Sequence, residues 1–159
     1  MVSVGIIGGH EAAQTHSIME GLRISPERVI ETASGKPKKF DVLVVIGTLD
    51  IPCIRKHIEL LTEKEILLIN ADDKSIYPLL QNSKAGFITY GFNSKACITA
   101  SSVGDNGSNT VQVCVQRSFK NFYKKTIVQQ EFAIYLGEKT YNIYSVLAAV
   151  SAGLYIYEG

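Results

Sequence analysis

The 159-residue chain contains no tryptophan, only three cysteines and almost no net charge. Its 16 lysines and arginines balance 15 aspartates and glutamates, so charge gives no reason to expect nucleic acid or an anionic membrane as a partner. The number of cysteines is odd, they are widely spaced at Cys53, Cys97 and Cys114, and none forms a CxxC pair. This pattern argues against a disulfide framework and a zinc site. We therefore expect reduced thiols in a cytoplasmic protein.

Long hydrophobic runs are also absent. No apolar stretch is long enough to cross a bilayer, and the short apolar start lacks the basic residues of a signal peptide. There is no internal repeat and no low-complexity linker. The length and the 46% hydrophobic content predict one compact domain over residues 1–159.

Apolar runs alternate with helical patterns in the first half of the chain. Buried strands are predicted at residues 2–7, 28–31, 41–46, 65–70 and 86–90, and helices at residues 11–22, 50–61 and 75–81. Residues 96–103, 110–117 and 126–135 alternate apolar and polar side chains, which predicts antiparallel strands with one solvated face, and a helix follows at residues 141–155. The predicted fold is α/β: a mostly parallel, Rossmann-like or P-loop-type sheet flanked by helices, with an antiparallel β layer in the second half.

A degenerate phosphate loop is predicted directly after the first strand, where the sequence reads GGHEAA. It comprises Gly8, Gly9, His10, Glu11, Ala12 and Ala13. In a functional loop a lysine neutralises the phosphates and a hydroxyl holds magnesium, but Ala12 and Ala13 stand in those places. Glu11 would repel a phosphate by roughly 1–4 kcal/mol, and it can instead satisfy the positive end of the helix dipole. We interpret the loop as one that has lost triphosphate binding.

Several stretches resemble the Mur ligases, and they occur in the order of that family. VGIIGGHEAAQT resembles the ATP-binding start of the central domain, VIETAS a strand that ends in a magnesium-binding glutamate, and DVLVVIGTLD the strand after it. LLINADD resembles the family's VLNADD, ITYGFNSKACITASSV its ITYG…AD…A stretch, and TYNIYSVLAAVSAGL its RHNVYNALAAIAAAL. Together these stretches cover most of the chain.

The resemblance implies the fold of the Mur ligase central ATPase domain and a residual ligand pocket. The pocket would comprise Glu31, Asp50, Asn70, Asp72, Asp73 and Asn142. Glu31 would be the magnesium-binding glutamate, but a single carboxylate is a weak ligand set, so we expect no metal site. Asp72 and Asp73 follow a strand and suit helix capping at least as well as ligand contact. His57 is expected on an exposed helical face.

Mur ligases join a carboxylate to an amine through an ATP-derived acyl phosphate, using three domains of which this chain resembles the central one. Without the loop lysine and the closing domain, the resemblance implies a non-catalytic relative without a cofactor. It would be a homo-oligomer or bind an unknown protein partner, through a sheet edge or through Tyr141, Tyr144, Tyr155 and Tyr157. The alternative is a residual nucleotide-binding subunit, using ATP and magnesium, in peptidoglycan or other amide-ligase metabolism and completed by another chain.

Overall fold

The structure is a computed structural model that describes residues 2–24, 29–31, 36–47, 51–103 and 110–159. The strands are β1 (Val4–Ile7), β2 (Val29–Glu31), β3 (Val42–Val45), β4 (Ile66–Asn70), β5 (Gly86–Tyr90), β6 (Ile98–Val103), β7 (Thr110–Val115), β8 (Phe119–Lys120), β9 (Thr126–Ile127) and β10 (Gln130–Tyr135). The α-helices are α1 (Gly9–Gly21), α2 (Ile51–Glu59), α3 (Tyr77–Leu80) and α4 (Ile143–Tyr155), and a 3-10 turn (Lys74–Ile76) precedes α3.

Eight strands form one sheet in the order β10-β7-β6-β5-β4-β3-β1-β2. The neighbours among β2, β1, β3, β4, β5 and β6 pair in parallel. Strand β7 is antiparallel to β6, and β10 is antiparallel to β7. The predicted fold class is confirmed, and the long antiparallel strands extend the parallel sheet at one side. Only β8 and β9 form a separate hairpin.

The central strands are apolar throughout because helices cover both of their faces. In β3, Val42 and Val44 join a core with α1 and α4, whereas Leu43 and Val45 join a second core with α2 and α3. All four side chains are buried. Each such aliphatic side chain contributes about 1.5–3 kcal/mol when it is removed from water, so this alternation fixes the register of the sheet.

Helix α4 fills the centre of the first core. Nine of its residues are buried, and three of them are alanines, whose small side chains allow close packing against α1 and the sheet. The polar Ser151 donates its hydroxyl to the Leu147 carbonyl at 2.7 Å, so its burial leaves no unpaired donor. Despite this apolar character, no helix within the described ranges is long and apolar enough to cross a membrane.

The second core does not extend under the antiparallel strands. Val111, Val113 and Val115 of β7 are buried against α4, whereas the alternating Gln112 and Cys114 are only half-buried on the opposite face. No described residue of β6, β7 or β10 belongs to the second core. The predicted solvated face is therefore confirmed; this surface is called the open face below.

Candidate functional site

The carboxyl ends of β1, β3, β4 and β5 lie at one edge of the sheet, where open α/β sheets bind ligands. The predicted loop follows β1 at this edge, and Asn70 is the last residue of β4. Asp72 lies two residues beyond Asn70. The structure therefore brings the loop and part of the predicted pocket to the same side of the molecule.

The predicted phosphate loop is helical from its third residue. Helix α1 is assigned from Gly9, but Gly9 has φ 52°, so Gly8 and Gly9 together connect β1 to the helical backbone that starts at His10. Gly8 has φ 154°, and a Cβ atom at this position would lie 2.5 Å from Ile46 Cγ2 and 2.8 Å from the Gly47 nitrogen. This connection is therefore short and close-packed at Gly8, and it offers few backbone N–H groups to surround a phosphate.

The first turn of α1 offers few groups that attract a phosphate. His10 and Ala13 are exposed, Ala12 is buried, and Glu11 adds an acidic side chain to a turn without lysine or arginine. No side chain caps the backbone N–H groups at this helix end. These N–H groups and the helix dipole remain the attractive elements of the turn, opposed by the carboxylate of Glu11.

The Asp72 carboxylate joins three parts of the fold. Its Oδ2 accepts hydrogen bonds from the Phe92 nitrogen at 2.8 Å and from the Tyr144 hydroxyl at 2.9 Å, and its Oδ1 accepts one from the Asn93 nitrogen at 2.9 Å. Gly91 must stay small, because a Cβ atom there would lie 2.9 Å from Asp72 Oδ2. Asp72 thus connects the end of β4 to the β5–β6 connection and to α4.

Two further groups surround this carboxylate. The Asn70 side chain accepts a hydrogen bond from the Asp72 nitrogen at 2.9 Å, which fixes the turn after β4. Burial, followed by the hydrogen bond to Asp72 and its negative charge, raises the pKa of the Tyr144 hydroxyl. Tyr144 therefore stays a neutral donor to Asp72.

Asn142 caps helix α4 and links it to α1. Its side chain accepts a hydrogen bond from the Tyr144 nitrogen at 2.9 Å, which is the usual role of an asparagine N-cap. Its own nitrogen donates to Gln14 Oε1 at 2.9 Å, and Gln14 Nε2 lies 3.0 Å from His10 Nε2. A chain of polar contacts therefore runs from the first turn of α1 to the start of α4.

Asp73 is the remaining predicted pocket residue whose side chain is described, and its nitrogen donates to the Asn70 carbonyl at 3.2 Å. Asp73 caps the 3-10 turn, where its Oδ1 accepts hydrogen bonds from the Ser75 nitrogen at 3.1 Å and from its hydroxyl at 2.5 Å. Glu31 is the last residue of β2, in register with Ile6 of β1, and its side chain is not among the described ones. Asp50 lies outside the described residues.

Tyr144 and Tyr90 also lie at this edge of the sheet, and the sequence did not predict either position. The Tyr90 hydroxyl is fully buried and donates to the Val45 carbonyl at 2.8 Å, and burial raises the pKa of Tyr90 far above its ordinary range. The available signal for both tyrosines was the resemblance itself, because Tyr90 stands in the stretch ITYG and Tyr144 in the stretch NIY. Tyr144 lies in the first turn of α4 and Tyr155 is its last residue, and an interface formed by the tyrosines near the C-terminus stays a prediction.

The histidine and cysteine positions give no metal site. The expectation for His57 is wrong: it is 1% exposed, and its Nδ1 lies 2.9 Å from the Cys53 carbonyl oxygen. None of the three cysteines forms a disulfide, and all are half-buried. Burial, then the nearby Glu131 charge, raises the pKa of the Cys114 thiol. No cluster of three or more potential metal ligands occurs in the part of the chain that the structure describes.

Solved structures with the same fold are Mur ligases. A murein peptide ligase from Psychrobacter arcticus aligns with 96% of this chain at TM-score 0.67 and 9% identity. UDP-N-acetylmuramoylalanyl-D-glutamyl-2,6-diaminopimelate--D-alanyl-D-alanyl ligase from Acinetobacter baumannii aligns with 98% at TM-score 0.68 and 12% identity. MurF ligase from Thermotoga maritima, solved with ADP, aligns with 96% at TM-score 0.61 and 13% identity. The chain has the Mur ligase fold.

The likeness is one of fold and covers part of each ligase. This chain spans 43% of the length of the first two ligases and 45% of the third. No family model matches the sequence, and no curated protein matches it. The resemblance read from the sequence is confirmed in the fold, and in this fold the loop and Asp72 lie at the edge formed by the carboxyl ends of the parallel strands.

Proposed function

We propose that this protein is a non-catalytic module with the Mur ligase fold, which has lost ATP chemistry and acts through contacts with protein. The observation that carries this proposal is the connection between β1 and α1. Two glycines with positive φ, Gly8 and Gly9, make up this connection, and Gly8 packs against Ile46 and Gly47. Phosphoryl transfer depends on positioning and on charge neutralisation, and this connection offers little of either.

The side chains of the first turn support the same proposal. A triphosphate needs cations, whereas Glu11 supplies negative charge and Ala12 is buried in the core. A lysine at position 12 would therefore begin in the buried core of the domain instead of facing a ligand. In place of the lysine and hydroxyl of a phosphate loop, this turn has an acidic side chain and a buried alanine.

The use of Asp72 supports it as well. Its carboxylate accepts three hydrogen bonds from the protein itself, so its charge is already engaged in holding Phe92, Asn93 and Tyr144. A carboxylate that waits for a metal ion or a substrate would keep lone pairs directed at the cleft. We assign Asp72 a structural role.

A residual nucleotide-binding subunit is the second candidate, and two observations favour it. The N–H groups at the start of α1 carry no side-chain cap. Lys95 and Arg117 line a cleft of about 520 Å³ on the open face, which also includes Ala71 and Asn93 beside the Asp72 turn. Such a subunit would bind the phosphates of a nucleotide and obtain its remaining groups from another chain.

Thermal unfolding with and without nucleotide separates the two candidates. A ligand present at 100 times its Kd stabilises the folded state by about 2.7 kcal/mol, which raises Tm by about 5–10 °C in a domain of this size. We expect no shift with ATP or ADP, with or without magnesium. A magnesium-dependent shift that disappears in Glu31→Ala, but persists in the matched control Glu20→Ala on the exposed side of α1, would support the nucleotide-binding subunit instead.

A further inference from the structure

Strand β10 forms one edge of the sheet, and no described strand pairs with its outer side. It pairs with β7 over six consecutive residues, from Gln130 to Tyr135, and the sheet order places it at the end. The opposite edge strand, β2, is described over three residues, which all pair with β1. The outward N–H and C=O groups of β10 therefore form the longer exposed template for another strand.

The sequence of β10, QEFAIY, lacks the features that protect edge strands from pairing. It contains no proline and no lysine, and its register with β7 shows no bulge. Glu131 is its single charged residue. An uninterrupted edge of this kind is suited to antiparallel addition of a strand.

The two faces of β10 differ in character. Phe132 and Ile134 are half-buried and line an apolar groove of about 570 Å³, together with Leu22, Ile24 and Leu154 from the helix side. The open face carries Glu131, Ala133 and Tyr135, which are all exposed, and Tyr135 is 70% exposed. A partner strand must match an apolar face on one side and a mixed face on the other.

We propose that a second copy of this chain supplies that strand, so that β10 pairs with β10 antiparallel about a two-fold axis at Ala133. This inference rests on the proposed function, because it names the protein partner of the non-catalytic module. Residues opposite each other in an antiparallel pair lie on the same face of the sheet, and side chains alternate between faces along a strand. A two-fold axis perpendicular to the sheet therefore pairs one residue with the same residue of the second copy. The two sheets then become one continuous sheet, joined by about four to six backbone hydrogen bonds.

The register centred on Ala133 satisfies both faces. Each Phe132 lies opposite Ile134 of the second copy, so the apolar groove of one chain continues into that of the other. Each Glu131 lies opposite Tyr135 of the second copy, and the smallest side chain of the strand lies at the axis. A register centred on Glu131 would place two carboxylates opposite each other, and one centred on Phe132 would leave Tyr135 unpaired.

Introducing a charge at position 133, beside the two-fold axis, tests this register. Ala133→Lys and Ala133→Glu each place like charges opposite each other in the dimer, and we expect each to weaken self-association by about tenfold or more. A mixture of the two variants should restore the dimer as a heterodimer. Gln112→Lys is the matched control, because Gln112 pairs with Ala133 on the same face but lies one strand away from the edge.

Sedimentation equilibrium over a concentration series gives the dimer constants, and circular dichroism verifies the fold of each variant. Hydrogen exchange on the unmodified chain gives a second measurement, in which amide protection of β10 should rise with protein concentration. A monomeric wild type would overturn the proposal. A dimer that both variants leave intact, or a mixture that fails to reassociate, would overturn it too. None of these results depends on nucleotide. The proposed function would be overturned by a different result, the binding of nucleotide, so the two failures can be distinguished.

Discussion

Replacing Asp72 with asparagine changes one oxygen of the carboxylate into an amide nitrogen and removes the negative charge. In the native structure Oδ2 accepts from the Phe92 nitrogen and the Tyr144 hydroxyl, and Oδ1 accepts from the Asn93 nitrogen. The hydroxyl of Tyr144 can rotate and accept from the new amide group. A backbone N–H cannot, so either Phe92 or Asn93 loses its acceptor.

The cost of this change follows from the number and kind of hydrogen bonds. A hydrogen bond to a charged group contributes about 1.5–3 kcal/mol, and the bonds that survive lose the assistance of the charge. Because the site is half-exposed, water replaces part of the lost interaction. We therefore expect Asp72→Asn to lower the free energy of unfolding by about 2 kcal/mol, which corresponds to a decrease in Tm of about 4–8 °C.

Urea unfolding of four proteins tests this expectation: wild type, Asp72→Asn, Tyr144→Phe and the double variant. The double-mutant cycle should give a coupling of about 1 kcal/mol between Asp72 and Tyr144. Asp73→Asn is the matched control, because that neighbouring carboxylate caps the short 3-10 turn instead of joining Phe92, Asn93 and Tyr144. If Asp72→Asn were as stable as wild type or more stable, Asp72 would be a ligand residue kept at a cost to stability, and our structural assignment would be refuted.

Three further changes probe other parts of the fold. Burial opposes ionisation of Glu65, but hydrogen bonds and the ion pair with Lys39 lower its pKa from 4.5 to about 2. Glu65→Gln should therefore lower the free energy of unfolding by about 1–2 kcal/mol at neutral pH, because solvent screens the half-exposed Lys39. Urea titrations should show this difference vanish as the pH falls from 4.5 towards 2. Gly8→Ala should lower Tm by about 5 °C or more in calorimetry, because its Cβ atom would overlap Ile46. Tyr90→Phe should cost about 1–2 kcal/mol in urea unfolding, because a buried carbonyl at the end of β3 loses its donor. An unchanged stability in any of the three would contradict the corresponding contact.

The strands were predictable because their signals are local. Residues 86–90 match β5 in the structure, and the run DVLVVI marks β3 to within a residue at each end. Apolar runs of this length are typical of strands covered on both faces. The alternation in β7 likewise indicated which of its faces is solvated, because one side chain in two is polar.

The site was less predictable because its contacts join distant parts of the chain. Tyr144 and Asp72 are 72 positions apart, and no spacing rule connects them. The short connection from β1 to α1 includes the close packing of Gly8 against Ile46, which the sequence alone does not reveal. His57 has a polar side chain that suggests exposure, but its ring reaches the Cys53 carbonyl within its own helix and is buried.

Isothermal titration calorimetry with ATP and ADP, in the presence and absence of magnesium, tests the central claim most directly. The close-packed Gly8 and the acidic first turn of α1 predict no heat beyond dilution at nucleotide concentrations up to about 1 mM. Saturable, magnesium-dependent binding below that concentration would contradict the claim, and would make the start of α1 a nucleotide site built without a phosphate-binding lysine.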